Sequence, residues 1–141
     1  MADFGKLLAA KLQGGAVIEL IADVGAGKTV LTRAIARALG VVGPIQSPTF
    51  TISNRYDLAD GRVIAHYDFY RLNDAGIMAD ELAESINDDR VITIIEWGDI
   101  VADILPRDRL TIKISADTES SRLLEIIGQG SYQKLVAELA R

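Results

Sequence analysis

The 141 residues include no cysteine, one histidine, one tryptophan and three prolines. No apolar run approaches the eighteen residues that would mark a membrane span. Without cysteine there are no disulfides and no thiolate metal sites, so packing and polar contacts must carry stability. No basic, apolar, small-residue leader opens the chain, and a cytoplasmic protein with no membrane contact is the expectation. Neither D-x-x-G nor N-K-x-D occurs anywhere, which disfavours a small GTPase. Cationic excess is also missing, since 15 Lys and Arg stand against 20 Asp and Glu, for a net charge of −5. A sequence-independent grip on nucleic acid needs clustered cations, so an RNA partner is expected to be met locally or through another protein. What is there is 49% hydrophobic and 25% charged, enough for one domain over residues 1–141 with a sizeable core.

The most informative stretch runs from Ala16 to Leu39. A short, mainly apolar run, Ala16 to Ile21, leads into Ala22-Asp23-Val24-Gly25-Ala26-Gly27-Lys28-Thr29 and then into a segment of helical period. That order reads as strand, phosphate loop and helix. Glycines let backbone N–H groups turn inward around a polyanion, and a helix beginning at Lys28 aims its positive dipole end at the same place. Lys28 is expected to reach the β- and γ-phosphates and Thr29 a Mg²⁺ ion, with Val24, Gly25, Ala26 and Gly27 completing the cradle. Ala22 stands where the strict pattern has Gly, which demands a backbone conformation open to all residues there. Leu31, Ala34, Ile35, Ala38 and Leu39 form a core-facing stripe, and Gly40 sits where a helix is closed by glycine.

Upstream, Phe4, Leu7, Leu8 and Leu12 have helical spacing that Gly14-Gly15 ends. Downstream, strict alternation from Phe50 to Leu58, the turn signal Asp60-Gly61 and a return strand through Tyr70 predict a polar β-hairpin. Its return strand puts Val63, Ala65, Tyr67 and Phe69 on one face and Ile64, His66, Asp68 and Tyr70 on the other. Asp74 is a plausible N-cap for an acidic helix reaching Ile86, whose Asp80, Glu81 and Glu84 read as a solvated face. Val91 to Ile95 is a β-branched run closed by Glu96-Trp97-Gly98, the pattern of a central parallel strand with an acid at its ligand-binding end. A short helix over Ile100 to Ile104, two further strands over Leu110 to Ile114 and Leu123 to Ile127, and an amphipathic helix from Tyr132 to Leu139 complete the reading. The fold class is therefore α/β, with a mixed, mainly parallel sheet, flanking helices and an antiparallel hairpin.

Phosphoryl transfer needs a metal held opposite the phosphate loop, and an acid ending a buried strand does this in proteins of that class. Glu96 is the candidate, since five preceding apolar or β-branched residues make a costly place for an unpartnered carboxylate. Asp68 is the second, set against a solvated strand residue. Thr49 could sense a γ-phosphate as a switch-type hydroxyl, or simply begin a strand. His66 shares a face with Asp68 and is either a satisfied structural imidazole or part of the site. Trp97 is either core or a nucleotide-stacking ring.

Four motifs together, Asp23-Val24-Gly25-Ala26-Gly27-Lys28-Thr29, Ser47-Pro48-Thr49-Phe50-Thr51, His66-Tyr67-Asp68-Phe69-Tyr70-Arg71-Leu72 and Ile95-Glu96-Trp97, resemble the TsaE family in order and spacing. Leu105-Pro106 and Arg122 extend the match over nearly the whole chain. TsaE proteins are small bacterial ATPases required for threonylcarbamoyladenosine modification of tRNA. The resemblance implies ATP and Mg²⁺ binding, slow hydrolysis, and docking on the TsaD and TsaB proteins, with tRNA met only through that complex. It implies phosphate and metal binding by Lys28 and Thr29, metal and hydrolysis roles for Glu96 and Asp68, a first switch over Ser47 to Thr51, and Trp97 at the border of the site. Gly98-Asp99 departs from the commoner Pro-Glu after the Trp. Two other readings stand beside it, a small-molecule kinase of the phosphate-loop class and a nucleotide-sensing binding module.

Overall fold

A β-branched run is best satisfied between two other strands with cover on both faces. In the computed structural model the elements in chain order are α1 (Ala2–Ala9), β1 (Val17–Ala22), α2 (Lys28–Ala38), β2 (Ser53–Asp57), β3 (Val63–Asp68), α3 (Ile77–Ile86), β4 (Val91–Glu96), a 3₁₀ turn (Gly98–Val101), β5 (Leu110–Ala116), β6 (Arg122–Gly128) and α4 (Tyr132–Leu139). The structure describes residues 2–22, 27–46, 48, 51–70, 72, 74 and 76–139. Every residue of β4 is buried, and it lies between β3 and β1 in one six-stranded sheet of order β2-β3-β4-β1-β5-β6. Strands β3, β4, β1 and β5 run parallel, and β2 and β6 close the two edges antiparallel to β3 and β5. The expected mixed, mainly parallel sheet with its antiparallel hairpin is the architecture the chain adopts.

Because strand residues alternate, each inner strand feeds two cores. On one face Ile18, Leu20, Ile64, Ile92, Ile94 and Ile112 pack with Leu8 of α1 and with Leu31 and Ile35 of α2, and α4 joins this layer through half-buried residues. On the other, Val17, Ala65, Tyr67 and Ile95 pack with Leu82 of α3 and Val101 of the 3₁₀ turn. The Tyr67 hydroxyl is paired with Ser85 Oγ at 2.7 Å, and burial pushes its phenol above the ordinary range. Helix α4 is tied to the sheet where the Val17 N–H donates to Tyr132 Oη at 3.0 Å.

Several expectations are adjusted by tertiary contacts. The buried side of α2 is Lys28, Leu31, Thr32, Ile35 and Ala36, whereas Ala38 is exposed and Ala34 half-buried. Helix α1 crosses α2 at Ala34, where a Cβ on Gly5 would fall 2.5 Å from the Ala34 Cβ. Gly40 closes α2 as expected, its N–H donating to Arg37 O and that of Val41 to Ala36 O. The strand predicted from Phe50 starts only at Ser53, since Ile52 adopts φ 71° and breaks the alternation. The hairpin is polar only on its outer strand. Ile64 through Asp68 of β3 are buried, because β3 is inserted between β2 and β4. The N-cap of α3 is Gly76, with Asp74 two residues earlier accepting the Gly76 N–H at 3.1 Å. Asp80 and Glu84 are solvated, while Glu81 accepts from Ser53 Oγ at 3.2 Å. The helix expected over Ile100 to Ile104 is a 3₁₀ turn over Gly98–Val101.

The Gly5–Ala34 crossing has no room for a side chain. Gly5→Val should lower stability by about 2 kcal/mol, the usual cost of overpacking, read as the midpoint of urea unfolding. Ala34→Gly should recover part of that loss, and an unchanged midpoint in Gly5→Val would remove the close crossing.

Candidate functional site

Parallel strands deliver their carboxyl ends to one edge of the sheet, where open α/β proteins bind ligands. Register aligns the chemistry at that edge. Asp68, the last residue of β3, pairs with Glu96, the last residue of β4, and Glu96 pairs on its other side with Leu20, two residues before β1 ends at Ala22. The connection from β1 to α2 leaves from the same edge. Asp23, Val24, Gly25 and Ala26 of the predicted phosphate loop lie outside the described residues, as do Ser47, Thr49, Phe50 and Arg71.

The part of the loop that is described is shaped for an anion. Gly27 sits at φ 109°, a left-handed conformation that favours glycine, and immediately precedes the first residue of α2. Among the described residues that helix has no side-chain cap, and it carries no acid in its first turn, so its positive dipole end faces the loop without a carboxylate of its own. Ala22 does not adopt positive φ, and it pairs with Ile114 as an ordinary strand residue, so its Cβ costs the backbone nothing.

Lys28 is only 7% exposed. Its Nζ donates to Ala22 O at 3.0 Å and lies 4.1 Å from the centre of the Trp97 ring. A desolvated ammonium against an indole face is a cation–π contact. Trp97 holds that position through a left-handed backbone at φ 57° directly after β4, half-buried, with the Tyr70 ring 4.9 Å away. It therefore borders the lysine. Thr29 is half-buried beside Lys28 in the first turn of α2.

Both acids are buried, Asp68 at 4% and Glu96 at 2% exposure. Asp68 Oδ1 accepts the Tyr70 N–H at 3.0 Å. Glu96 Oε2 is in hydrogen-bond contact with Nε2 of His66, itself buried. The imidazole weighed above as structural or functional thus touches the acid at the end of the central strand. Among the described residues no three His, Asp or Glu side chains gather into a cage that would hold a metal alone. One or two carboxylates with a hydroxyl is instead the donor set by which Mg²⁺ is held together with phosphates.

Sequence reading passed over Glu19, counted within an apolar run. Its buried carboxylate accepts from Arg109 Nε at 3.1 Å and Thr111 Oγ1 at 3.2 Å, and Arg109 also donates to Pro106 O. The contact ties the segment after β4 back to β1. A cavity of about 70 Å³ lies between Glu19 and Lys28, walled by Trp97 and Gly98. A single acid inside an otherwise apolar strand was the available signal.

A family model described as threonylcarbamoyl adenosine biosynthesis protein TsaE matches residues 1–124. The chain belongs to the TsaE family. It is 34% identical over 140 residues to the tRNA threonylcarbamoyladenosine biosynthesis protein TsaE of Bacillus subtilis, covering 96% of this chain and 85% of that protein. Against the protein of the same name from Streptomyces coelicolor it is 36% identical over 115 residues, covering 81% of this chain and 78% of that one. The crystal structure of Bacillus subtilis YdiB superposes with a TM-score of 0.80 at 32% identity, over 99% of this chain and 86% of that one. The family is thus one of threonylcarbamoyladenosine biosynthesis, and the fold is shared with a solved structure. No helix among the described residues is long and apolar enough to cross a membrane.

The contact between Lys28 and Trp97 has a direct readout, because the chain has one tryptophan. Lys28→Met should shift the Trp97 emission maximum of the ligand-free protein while leaving far-UV circular dichroism unchanged. Identical emission would show that the ammonium does not sit on the ring in solution.

Proposed function

We propose that the chain is an ATP-binding, ATP-hydrolysing subunit of threonylcarbamoyladenosine modification of tRNA, slow alone and stimulated on docking to TsaD and TsaB. The observation that carries the reading is the convergence at one sheet edge of a helix N-terminus, a buried lysine and two register-paired carboxylates. A triphosphate supplies the negative charge that this helix end and Lys28 favour. Thr29, Glu96 and Asp68 offer the hard oxygens that suit Mg²⁺, and the ion supplies charge neutralisation on the phosphates when bound. On this reading Lys28 leaves the Ala22 carbonyl for phosphate oxygen and lends its charge to the transferring phosphoryl group. The buried carboxylates orient the metal and the attacking water, and Trp97 shields the lysine side of the site from solvent. Thr49 and its neighbours act as the switch that responds to the γ-phosphate.

Slow basal turnover is supported by the arginines. Among the described residues Arg33 donates to Ile45 O, Arg37 to Val41 O and Arg55 to Ser85 Oγ, so these three guanidinium groups are engaged elsewhere, while Arg71, which follows the Asp68 strand, lies outside the described residues. Phosphate-loop enzymes without an arginine supplied to the γ-phosphate turn over slowly, and a partner that supplies one or orders the switch accelerates them by orders of magnitude. Docking must depend on nucleotide state, since equal affinity for both states couples nothing.

The test is phosphate release at fixed ATP, with and without the TsaD and TsaB pair. A low basal rate that rises with the pair is expected. Lys28→Ala should reduce turnover by about 100-fold or more with the fold intact, on the scale of removing one preorganised charge-stabilising group. Glu96→Gln should retain nucleotide binding better than hydrolysis. Transfer of phosphate to an added acceptor would indicate a kinase, absence of turnover a sensing module, and a fast rate indifferent to the pair would contradict the regulatory reading.

A further inference from the structure

Two carboxylates paired in register on one face of a buried sheet repel each other, and neither strand can move to separate them. Asp68 and Glu96 are such a pair, both on the face that also carries Ile64, Ile92 and Ile94. Each is held by a different partner. Asp68 turns back on its own chain to accept the Tyr70 N–H, and Glu96 is drawn along the sheet toward His66, whose own register partner is Ile94. Only one oxygen of Glu96 is committed, because among the described residues Oε1 makes no hydrogen bond.

His66 has an unusual environment for a residue that merely fills space. It is 1% exposed, and its Nδ1 is buried without a hydrogen-bond partner among the described residues. A buried imidazole with one bare ring nitrogen is a net cost unless the other nitrogen does something useful. Since Nε2 faces a carboxylate oxygen, the proton belongs on Nε2, and the bare Nδ1 is left as acceptor. A hydrogen bond from an imidazole N–H to a metal-ligating carboxylate is a recurring way of fixing a ligand's orientation.

We propose that His66 is the positioning residue for Glu96. Its Nε2–H holds Oε2, separates the Glu96 carboxylate from Asp68, and leaves Oε1 aimed at the divalent cation that accompanies the nucleotide. The inference rests on the proposed Mg-ATP reading. It does not require His66 to touch nucleotide, metal or water.

The experiment separates metal affinity from nucleotide affinity in the full chain. Mn²⁺ binding is measured by electron paramagnetic resonance in the presence of a non-hydrolysable ATP analogue, and binding of the same analogue without metal is measured by calorimetry. His66→Leu should weaken Mn²⁺ binding by about 10- to 100-fold, the usual effect of losing such a support, with metal-free binding unchanged. His66→Gln places an amide N–H near the position of Nε2 and should restore most of the affinity. His66→Asn, whose shorter amide stands in for Nδ1 instead, should not, and this pair carries the comparison if the leucine variant does not fold. In a Glu96→Ala background His66→Leu should have no further effect on Mn²⁺. Unchanged Mn²⁺ affinity in His66→Leu, equal losses with and without metal, or a glutamine variant no better than asparagine would overturn the assignment. If the wild-type protein binds the analogue but not Mn²⁺, the metal reading falls with it. If only the variants behave as wild type, that reading stands and the role of His66 is refuted.

Discussion

The parallel pairing of β4 with β1 on one side and β3 on the other is the constraint on which the site depends. It fixes Glu96 between Asp68 on one side and the exit of β1 on the other, and it does so through backbone hydrogen bonds that no side chain can renegotiate. A slip of one residue in either pairing would turn Glu96 to the opposite face, away from α2 and Lys28. The apolar residues of β4 therefore have a second role beyond core packing. By burying the strand on both faces they make its register strict, and the register places the charge.

That placement creates an electrostatic problem which the neighbouring residues resolve locally. Two buried acids and one buried lysine occupy a sheet edge in a chain of net charge −5. The lysine is held by the Ala22 carbonyl and the Trp97 ring, Asp68 by a backbone N–H and Glu96 by His66. Each of these contacts is made to a backbone group or to an aromatic ring. Glu19 shows the contrast. It is bound by Arg109 and Thr111, and its work is to hold the segment after β4 in place.

Much of this was legible in the residues, and the misses share a cause. Strand β4 and its terminal acid could be read because β-branched runs and their punctuation are local signals. The start and end of α2 could be read from Gly27 and Gly40 for the same reason. The rotation of the α2 stripe could not, because it is set by the sheet strands and α1 residues that pack on Leu31, Ile35 and Ala36, which are distant in sequence. Alternation alone cannot distinguish an edge strand from one inserted beside a partner thirty residues away, so it predicts half of a polar hairpin where β3 is in fact buried on both faces. The contact of His66 with Glu96 is likewise tertiary. Sequence placed His66 on the same face as Asp68 and Glu96 at the end of its strand, and only the parallel pairing of β3 with β4 brings His66 and Glu96 together.

The proposed function turns on this sheet edge being the site for the phosphates of a nucleotide with its metal. The most direct measurement is a crystal structure of the protein with Mg²⁺ and a non-hydrolysable ATP analogue. The expected result is that Lys28 Nζ exchanges the Ala22 carbonyl for phosphate oxygen at the N-terminus of α2, with the cation held by the phosphates together with Thr29 and Glu96. A nucleotide bound elsewhere on the molecule, or Lys28 still on Ala22 with no ligand beside it at saturating analogue, would contradict it.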